Sequence, residues 1–320
     1  MRLVRLSIAV MLGFAVGFSA SASSAETWPH RTVRVILPNP GGVAIDVIAR
    51  LFTDRLSQRW GNAIIVENIP GADGTLAARE FVTRRDNHTL LYSFPGLITI
   101  NPLSYNKLPY DPTRDLMPIA STSDNFLAIA VSANLKISTL RELIEVARTR
   151  PVQLNWAATP GLPHFAFAGL QKRAGLDFVH VPYRDFNQAL VDLAEGRIDA
   201  AASGLAPMLP HANSGKMKLV AFINPERTAV APTVPTLVEL GYAEFSFRAV
   251  TGFFGWRDMP AQLRERIAAD IRDIASDPVV KERLSKMGSA ALGSTPVGFT
   301  EMIEDQRLKV VAIDRLLKSR

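Results

Sequence analysis

The chain has 320 residues, 36 Lys and Arg against 30 Asp and Glu for a formal charge of +6, and no cysteine. A disulfide framework and a thiolate metal site are therefore excluded, and stability has to come from packing. The basic residues are interspersed with acidic ones rather than gathered into a block, which argues against a nucleic-acid partner.

Met1-Arg2-Leu3-Val4-Arg5 is a short basic start, Leu6 to Phe18 is apolar or small apart from Ser7, and Ser23-Ser24-Ala25 fits a small-x-small cleavage site. This order predicts a secretory signal peptide over 1–25 and a periplasmic mature protein beginning near Glu26. The competing reading is a membrane anchor, but the apolar run of about 13 residues falls short of the roughly 20 that span a bilayer. The absence of Cys near the cleavage site excludes a lipoprotein anchor. The remaining chain, about 295 residues, is long enough for two domains.

Strands and helices then alternate, which predicts α/β layering. Val33 to Leu37 reads as a strand broken by Pro38-Asn39-Pro40-Gly41-Gly42. A helix follows from about Asp46 to Trp60, with Val47, Ile48, Leu51, Phe52 and Leu56 on one face and Gly61 as its cap. Ile64 to Val66 is the next strand, Pro70 to Gly74 a turn, Thr75 to Arg84 a helix, and Thr89 to Ser93 a strand ended by Phe94-Pro95-Gly96. The Pro- and Tyr-rich stretch Asn101 to Pro118 reads as a long surface connection, and Phe126 to Val131 as a strand that enters a second domain. Thr139 and Glu142 fit a capping box for a helix to Arg150. Leu154 to Ala158 is a strand leading through Thr159-Pro160-Gly161-Leu162-Pro163-His164 into a helix ending at Arg173. Phe178 to Val181, Ile198 to Ala202 and Lys218 to Ile223 read as strands, with a helix over Gln188 to Glu195. Phe247 to Phe254 returns to the first domain, and three helices follow, Pro260 to Ala275, Pro278 to Met287 and Pro296 to about Leu317. Each has Pro at or near its first turn, where the missing N–H costs nothing. The expected division is 26–124 with 248–320 as one domain and 125–247 as the other.

Strands repeatedly end in Gly/Pro-rich loops that open into helices, at 38–46, 70–75, 93–96 and 157–165. In open α/β sheets ligands bind beyond the carboxyl ends of the strands. Helix N-termini there present free N–H groups and a partial positive charge, and so hold a carboxylate without Lys or Arg.

Local catalytic motifs are absent: there is no G-x-S-x-G, no Walker loop and no G-x-G-x-x-G. None of His30, His88, His164, His180 and His211 pairs with another at helical metal-site spacing. No catalytic residue, metal or cofactor is therefore expected. Asp46 reads as an N-cap, with ligand contact as the competing role. His164 reads as a first-turn residue packed on its loop, with a ligand hydrogen bond as the alternative. Trp156 reads as core rather than a stacking platform. Arg184 and Asp185 are either a solvated pair or residues at a cleft mouth. The sequon Asn87-His88-Thr89 is read as accidental.

Several stretches together resemble a known family: Trp28-Pro29 with Val33 to Pro38; Gly41-Gly42 with Asp46, Ala49 and Arg50; Val66-Glu67-Asn68 with Pro70-Gly71-Ala72-Asp73-Gly74; Leu108 to Pro112; Val181-Pro182-Tyr183; and Ser294-Thr295-Pro296. The third matches an E-N-x-P-G-A-x-G signature. The chain resembles the Bug-type receptors of tripartite tricarboxylate transporters over essentially its whole mature length. That resemblance implies a two-domain periplasmic-binding-protein fold of type II with two crossing strands as hinge, capture of a small carboxylate, and delivery to a membrane permease. It assigns Asn39, Gly41, Gly42, Val43 and Ala44 to a first-domain loop. Ala157, Ala158, Thr159, Gly161 and His164 form the second-domain loop. Asp46, Ser93, Phe94, Asp185 and Ser203 complete the expected ligand-binding set.

Three departures stand out. Asn39 and Val43 replace the Pro, Gly or Ser frequent in the first loop, the second loop is shorter and more apolar, and Ser203 stands where many members carry Asp. They suggest a ligand with an apolar body, such as a longer-chain or aromatic carboxylate, rather than citrate. The expectation is a monomeric receptor closing around its ligand; the alternatives are a sensor that presents ligand to a histidine-kinase ectodomain, and an enzyme on the same fold.

Overall fold

The computed structural model describes residues 28–149 and 154–319. The predicted leader, and Arg150 at the predicted end of a helix, lie outside them. No helix among the described residues is long and apolar enough to cross a membrane.

The first sheet begins with β1 (Val33–Leu37), α1 (Ala44–Trp60), β2 (Ile64–Asn68), α2 (Thr75–Arg84) and β3 (Thr89–Ser93). Short helices α3 (Gly96–Thr99) and α4 (Asn101–Ser104) lead to β4 (Met117–Asn125), which continues through Phe126 into β5 (Leu127–Ser132) of a second sheet. That sheet is built from β5, α5 (Leu140–Thr149), β6 (Asn155–Ala158), α6 (Leu162–Ala174), β7 (Val179–His180), α7 (Phe186–Glu195), β8 (Ala200–Gly204), α8 (Leu205–Asn213) and β9 (Met217–Phe222). The chain returns through β10 (Val250–Gly255) and ends with α9 (Ala261–Ser276), α10 (Pro278–Lys286), β11 (Ser289–Ala291) and α11 (Pro296–Lys318).

The two sheets repeat one plan. Their strand orders are β11-β4-β10-β3-β1-β2 and β7-β6-β8-β5-β9. In each, the first strand of the domain (β1, β6) runs parallel to the second and third, and the strand arriving from the other domain (β10, β5) is inserted antiparallel beside the third. The fold is thus two α/β domains of the type II periplasmic-binding-protein kind.

Period-two alternation divides each sheet between two apolar layers. Val33, Val35, Leu37, Leu90 and Tyr92 pack toward α1 and α9, whereas Ile36 and Leu91 pack toward α2 and α11. In the second domain Leu127, Ile129 and Val131 face the α5 and α6 side, and Ala128 and Ala130 the α7 and α8 side. The capping box of α5 forms as expected: Thr139 Oγ1 accepts from the Glu142 N–H at 3.1 Å, and Glu142 Oε2 accepts from the Thr139 N–H at 3.1 Å.

The structure corrects the sequence reading in several places. The stretch 101–118 is more than a surface connection: it carries α4, buries Asn101, Tyr110, Asp115 and Leu116, and begins β4. β4 escapes hydrophobic patterning because its buried centre is Ser121-Thr122-Ser123-Asp124. The hydroxyls satisfy one another: Tyr92 Oη lies 2.7 Å from Thr122 Oγ1 and 2.9 Å from Thr251 Oγ1, and Ser123 Oγ lies 2.7 Å from Thr251 Oγ1. α8 escapes because of its Pro207 and Pro210, although Pro207 sits in the first turn where no N–H is needed. The predicted strand at 198–202 is β8 at 200–204, and the returning strand starts at Val250 rather than Phe247.

The crossing strands are tied by one buried carboxylate. Asp124 Oδ1 accepts from the Ala249 N–H at 2.9 Å and from Asn224 Nδ2 at 3.0 Å, while Oδ2 accepts from Arg248 at 3.2 Å. Asn224 Oδ1 accepts from the Leu127 N–H at 2.7 Å, so the cluster grips both crossings. The last helix also bridges the domains: Phe299 and Ile303 pack into the first, Val310 and Ile313 into the second.

Two outcomes follow from this packing. At Gly252 a Cβ would lie 2.4 Å from the Ala120 carbonyl oxygen and 2.7 Å from the Phe299 ring, so Gly252→Ala should destabilise the first domain by about 3 kcal/mol in urea titrations. Burial pushes the Asp124 carboxyl up to about 6, against the charge of Arg248 and the Ala249 N–H and with Glu226 adding to the rise. Because its folded pKa lies above the ordinary 3.8, the folded chain holds the extra proton between these values. This group's contribution to stability is present below pH 3.8 and lost as pH rises through about 6, which carboxyl NMR titration and pH-dependent unfolding should both report.

Candidate ligand cleft

Topology alone sets the loops against each other. The C-terminal end of β4 runs directly into the second domain, and β4, β3 and β1 all point the same way because β10 is antiparallel to both β4 and β3. The loops after β1 and β3 therefore face the second domain. By the same argument β8, antiparallel to β5, and β6, parallel to β8, end facing the first domain. A Cβ built on Gly161 would lie 3.8 Å from Ile100 Cδ1, which puts the second-domain loop against the segment following β3.

The first loop, 38–43, is largely exposed and leads into α1, whose N-cap is Val43. Val43 has no side-chain cap, and α1 ends with left-handed Gly61, whose N–H bonds the Ser57 carbonyl at 3.0 Å. Ala44 and Ile45 open the helix, and first-turn N–H groups have no partner within a helix. Asp46 is not the N-cap that the sequence suggested. The helix starts two residues earlier, and Asp46 reaches back from its first turn to accept the Gly42 N–H at 2.9 Å. Gly42 is left-handed, with φ of 85°. Its N–H is thus engaged within the protein, and its part in the loop is conformational.

Asp46 is the centre of a polar cluster. It also accepts from Arg50 Nε at 3.0 Å and from Asn68 Nδ2 at 2.9 Å. Asn68 Nδ2 further donates to the Asn39 carbonyl at 2.9 Å, and Asn68 Oδ1 accepts from Arg50 Nη2 at 3.0 Å. Burial pushes the Asp46 carboxyl up, but the hydrogen bonds from Arg50, Gly42 and Asn68 and the Arg50 charge outweigh it and hold it below the ordinary aspartate value. Asn39 Oδ1 is buried with no hydrogen-bond partner among the described residues.

Ser93, the buried last residue of β3, pairs with Gly252; the Phe94 side chain that follows is 37% exposed. In the second domain Ala157 is buried and Ala158 half-buried at the end of β6, and the Thr159 N–H donates to the Ala202 carbonyl at 3.0 Å. Gly161 caps α6, placing His164 in the first turn. The His164 ring stacks on Trp156 with centroids 5.2 Å apart, and His180 lies 4.9 Å away. Trp156 is core, as expected, and half-buried His164 packs on it rather than only on its loop. Ser203 is buried in β8 opposite Ala128. Asp185 is the N-cap of α7, its Oδ1 accepting the Asn187 N–H at 3.0 Å, and both it and Arg184 are exposed.

The predicted residues thus gather at the facing ends of the two sheets, with Asp46 and Asp185 employed in holding helix starts. The expected ligand-binding set left out Asn68 and Arg50, although both stand in the stretches that carry the family resemblance. The signals were the signature around Asn68 and the four-residue spacing of Asp46 and Arg50 on α1, whereas the bond from Asn68 to Asp46 spans too much chain to leave a local pattern. Among the described residues no group of three or more His, Cys, Asp or Glu could hold a metal ion. A cavity of about 430 Å³ lined by Trp28, His30, Arg31, Asp86, Asn87 and His88 lies at the N-terminal ends of β1 and β3, away from these loops.

Two α/β domains with facing strand-to-helix turns have the architecture of the periplasmic solute-binding proteins. Comparison supports the same class. Residues 48–317 match the model of the tripartite tricarboxylate transporter family receptor. A UPF0065 protein of Bordetella bronchiseptica is 33% identical over 300 residues, covering 92% of this chain and 88% of its own. BugT of Bordetella pertussis is 27% identical over 310 residues, covering 96% and 95%. The structure of MatC from Rhodopseudomonas palustris with bound malate is similar with a TM-score of 0.73 and 26% identity, covering 91% of this chain and 100% of that one. The chain belongs to the tripartite tricarboxylate transporter receptor family, of the Bug type, whose members are periplasmic substrate-binding receptors rather than enzymes.

Burial lowers the pKa of His164, with the neighbouring His180 charge adding to it, and burial alone lowers that of His180. The folded state therefore favours neutral rings. Both should titrate below the ordinary 6.5 in proton NMR, and the stability they contribute, present above 6.5, should be lost as pH falls through their folded values.

Proposed function

We propose that the chain is an exported, monomeric receptor that captures a small carboxylate between its two domains and delivers it to the membrane subunits of a tripartite permease. The observation that carries this reading is the pair of strand-to-helix turns, 38–44 and 158–162, opposed by the sheet topology. Helix starts offer amide donors and a partial positive charge, which suit a carboxylate. The similarity to a protein holding malate supports the same ligand chemistry. Residues 26–124 with 248–320, and 125–247, are the units that close on the ligand, with the crossings near 125 and 248 as hinge.

Within that class we favour a ligand with an apolar body. Val43, at the N-cap of α1, and Phe94, just after β3, are 41% and 37% exposed. The second loop contributes Ala157, Ala158 and Gly161, with Thr159 its only hydroxyl before His164. A carboxylate with a hydrocarbon chain or ring covers such surface, whereas citrate carries polar groups all round.

A thermal-shift screen of short and long dicarboxylates, aromatic monocarboxylates and the matching amides tests both levels. Binding at 100 times Kd stabilises by about 2.7 kcal/mol, so a carboxylate ligand should raise the melting temperature clearly while its amide leaves it unchanged. Stabilisation by citrate or malate alone would overturn the apolar-body reading. Stabilisation by no carboxylate, with ligand recovered from the native protein proving uncharged, would overturn the function itself.

A further inference from the structure

Asn68 ends β2, where it pairs with Leu37 of β1, and the following Ile69 N–H bonds the Leu37 carbonyl at 2.8 Å. The sheet therefore fixes its backbone directly beside the point where the first loop leaves β1. From there its amide reaches three groups: it donates to the Asn39 carbonyl and to Asp46, and accepts from Arg50. Both of the amide nitrogen's hydrogens and one lone pair of its oxygen are used. Asp46 passes the restraint on to the Gly42 N–H. The loop backbone is thus pinned at 39 and at 42, on either side of Gly41, which lies so close that its Cβ would sit 3.7 Å from Asn68 Oδ1.

We propose that Asn68 is the positioning residue of the carboxylate site, holding the loop between β1 and α1 in its receptive shape without touching the ligand. The consequence for affinity rests on the carboxylate reading above; the restraint on the loop does not. Two physical costs are removed in advance. The Gly-rich loop would otherwise have to be ordered when ligand arrives, at a loss of affinity. An unpaired Asp46 close to the anion would also repel it, and the cluster keeps that carboxylate tied to Arg50. Asn is suited to the position because it donates and accepts at once; Asp of the same shape cannot donate, and Leu can do neither.

The test compares Asn68→Ala and Asn68→Asp with the natural chain, using malate and adipate as probes in titration calorimetry and hydrogen exchange of the 38–46 segment in the ligand-free protein. Exchange across 38–46 should accelerate in both variants while the rest of the chain is unchanged. The affinity should fall by about tenfold or more, as when outer partners of a binding site are removed. The double variant Asp46→Asn with Asn68→Asp, which restores a donor–acceptor pair between the two positions, should recover part of that affinity. Unchanged exchange at 38–46, or faster exchange with unchanged affinity, would overturn the proposal. If the natural chain binds neither probe, it is the choice of ligand that falls; the exchange measurement still decides whether Asn68 holds the loop.

Discussion

An anion leaving water must be met by donors that are already in place. On the proposed reading the donors in this chain are main-chain N–H groups at two strand-to-helix turns, and the fold sets those turns facing each other. Parallel strands put the turns at one end of each sheet. The antiparallel strand shared across the hinge turns those ends toward each other. No Lys or Arg stands at 38–44 or 157–164, which fits a site whose charge complement comes from backbone.

The same plan, used twice, explains where the polar groups go. A chain passing between domains has to leave one sheet and enter another without orphaning its amides. Asp124 and Asn224 take up the N–H groups of Ala249 and Leu127 at these crossings. Burying a carboxylate there carries a cost, visible in its raised pKa, which Arg248 only partly offsets. On the loop side the balance is reversed: Asp46 is also buried, but it receives enough hydrogen bonds to remain a comfortable anion. Two buried aspartates thus sit in one protein with opposite shifts, one spanning a joint and the other bracing a binding loop.

Much of this was legible in the residues. Val33 to Leu37, Thr89 to Ser93 and Leu154 to Ala158 announce themselves as apolar runs, and the Gly/Pro breaks after them mark the cleft loops. Thr139 and Glu142 predict their own reciprocal cap. What escaped were elements whose stability comes from partners distant in sequence. β4 reads as a polar stretch because its hydroxyls pair with Tyr92 and Thr251 rather than with water. β11 is three residues long and exists only as a rung beside β4. Asn68 stands in the sequence as a signature residue just past the expected strand, and its role shows only when Asn39, Asp46 and Arg50 are brought around it. The start of α1 was misjudged because an aspartate near a helix beginning is usually its cap, whereas this one works from inside the first turn.

The last helix joins what the crossing strands leave separate. Its front half is embedded in one domain and its back half in the other, where Ile313 lies against Gly169 of α6 and the Ser319 carbonyl accepts from Lys172 Nζ at 2.8 Å. A straight rod seated in two bodies cannot follow both when they swing apart. For the domains to move as proposed, the helix has to bend between its two seats or its tail has to shift across α6, where Ile313 and the Phe245 ring pack closely over Gly169. Either way the helix would limit how the two domains of the proposed receptor move apart, much as a stay keeps a lid from falling sideways.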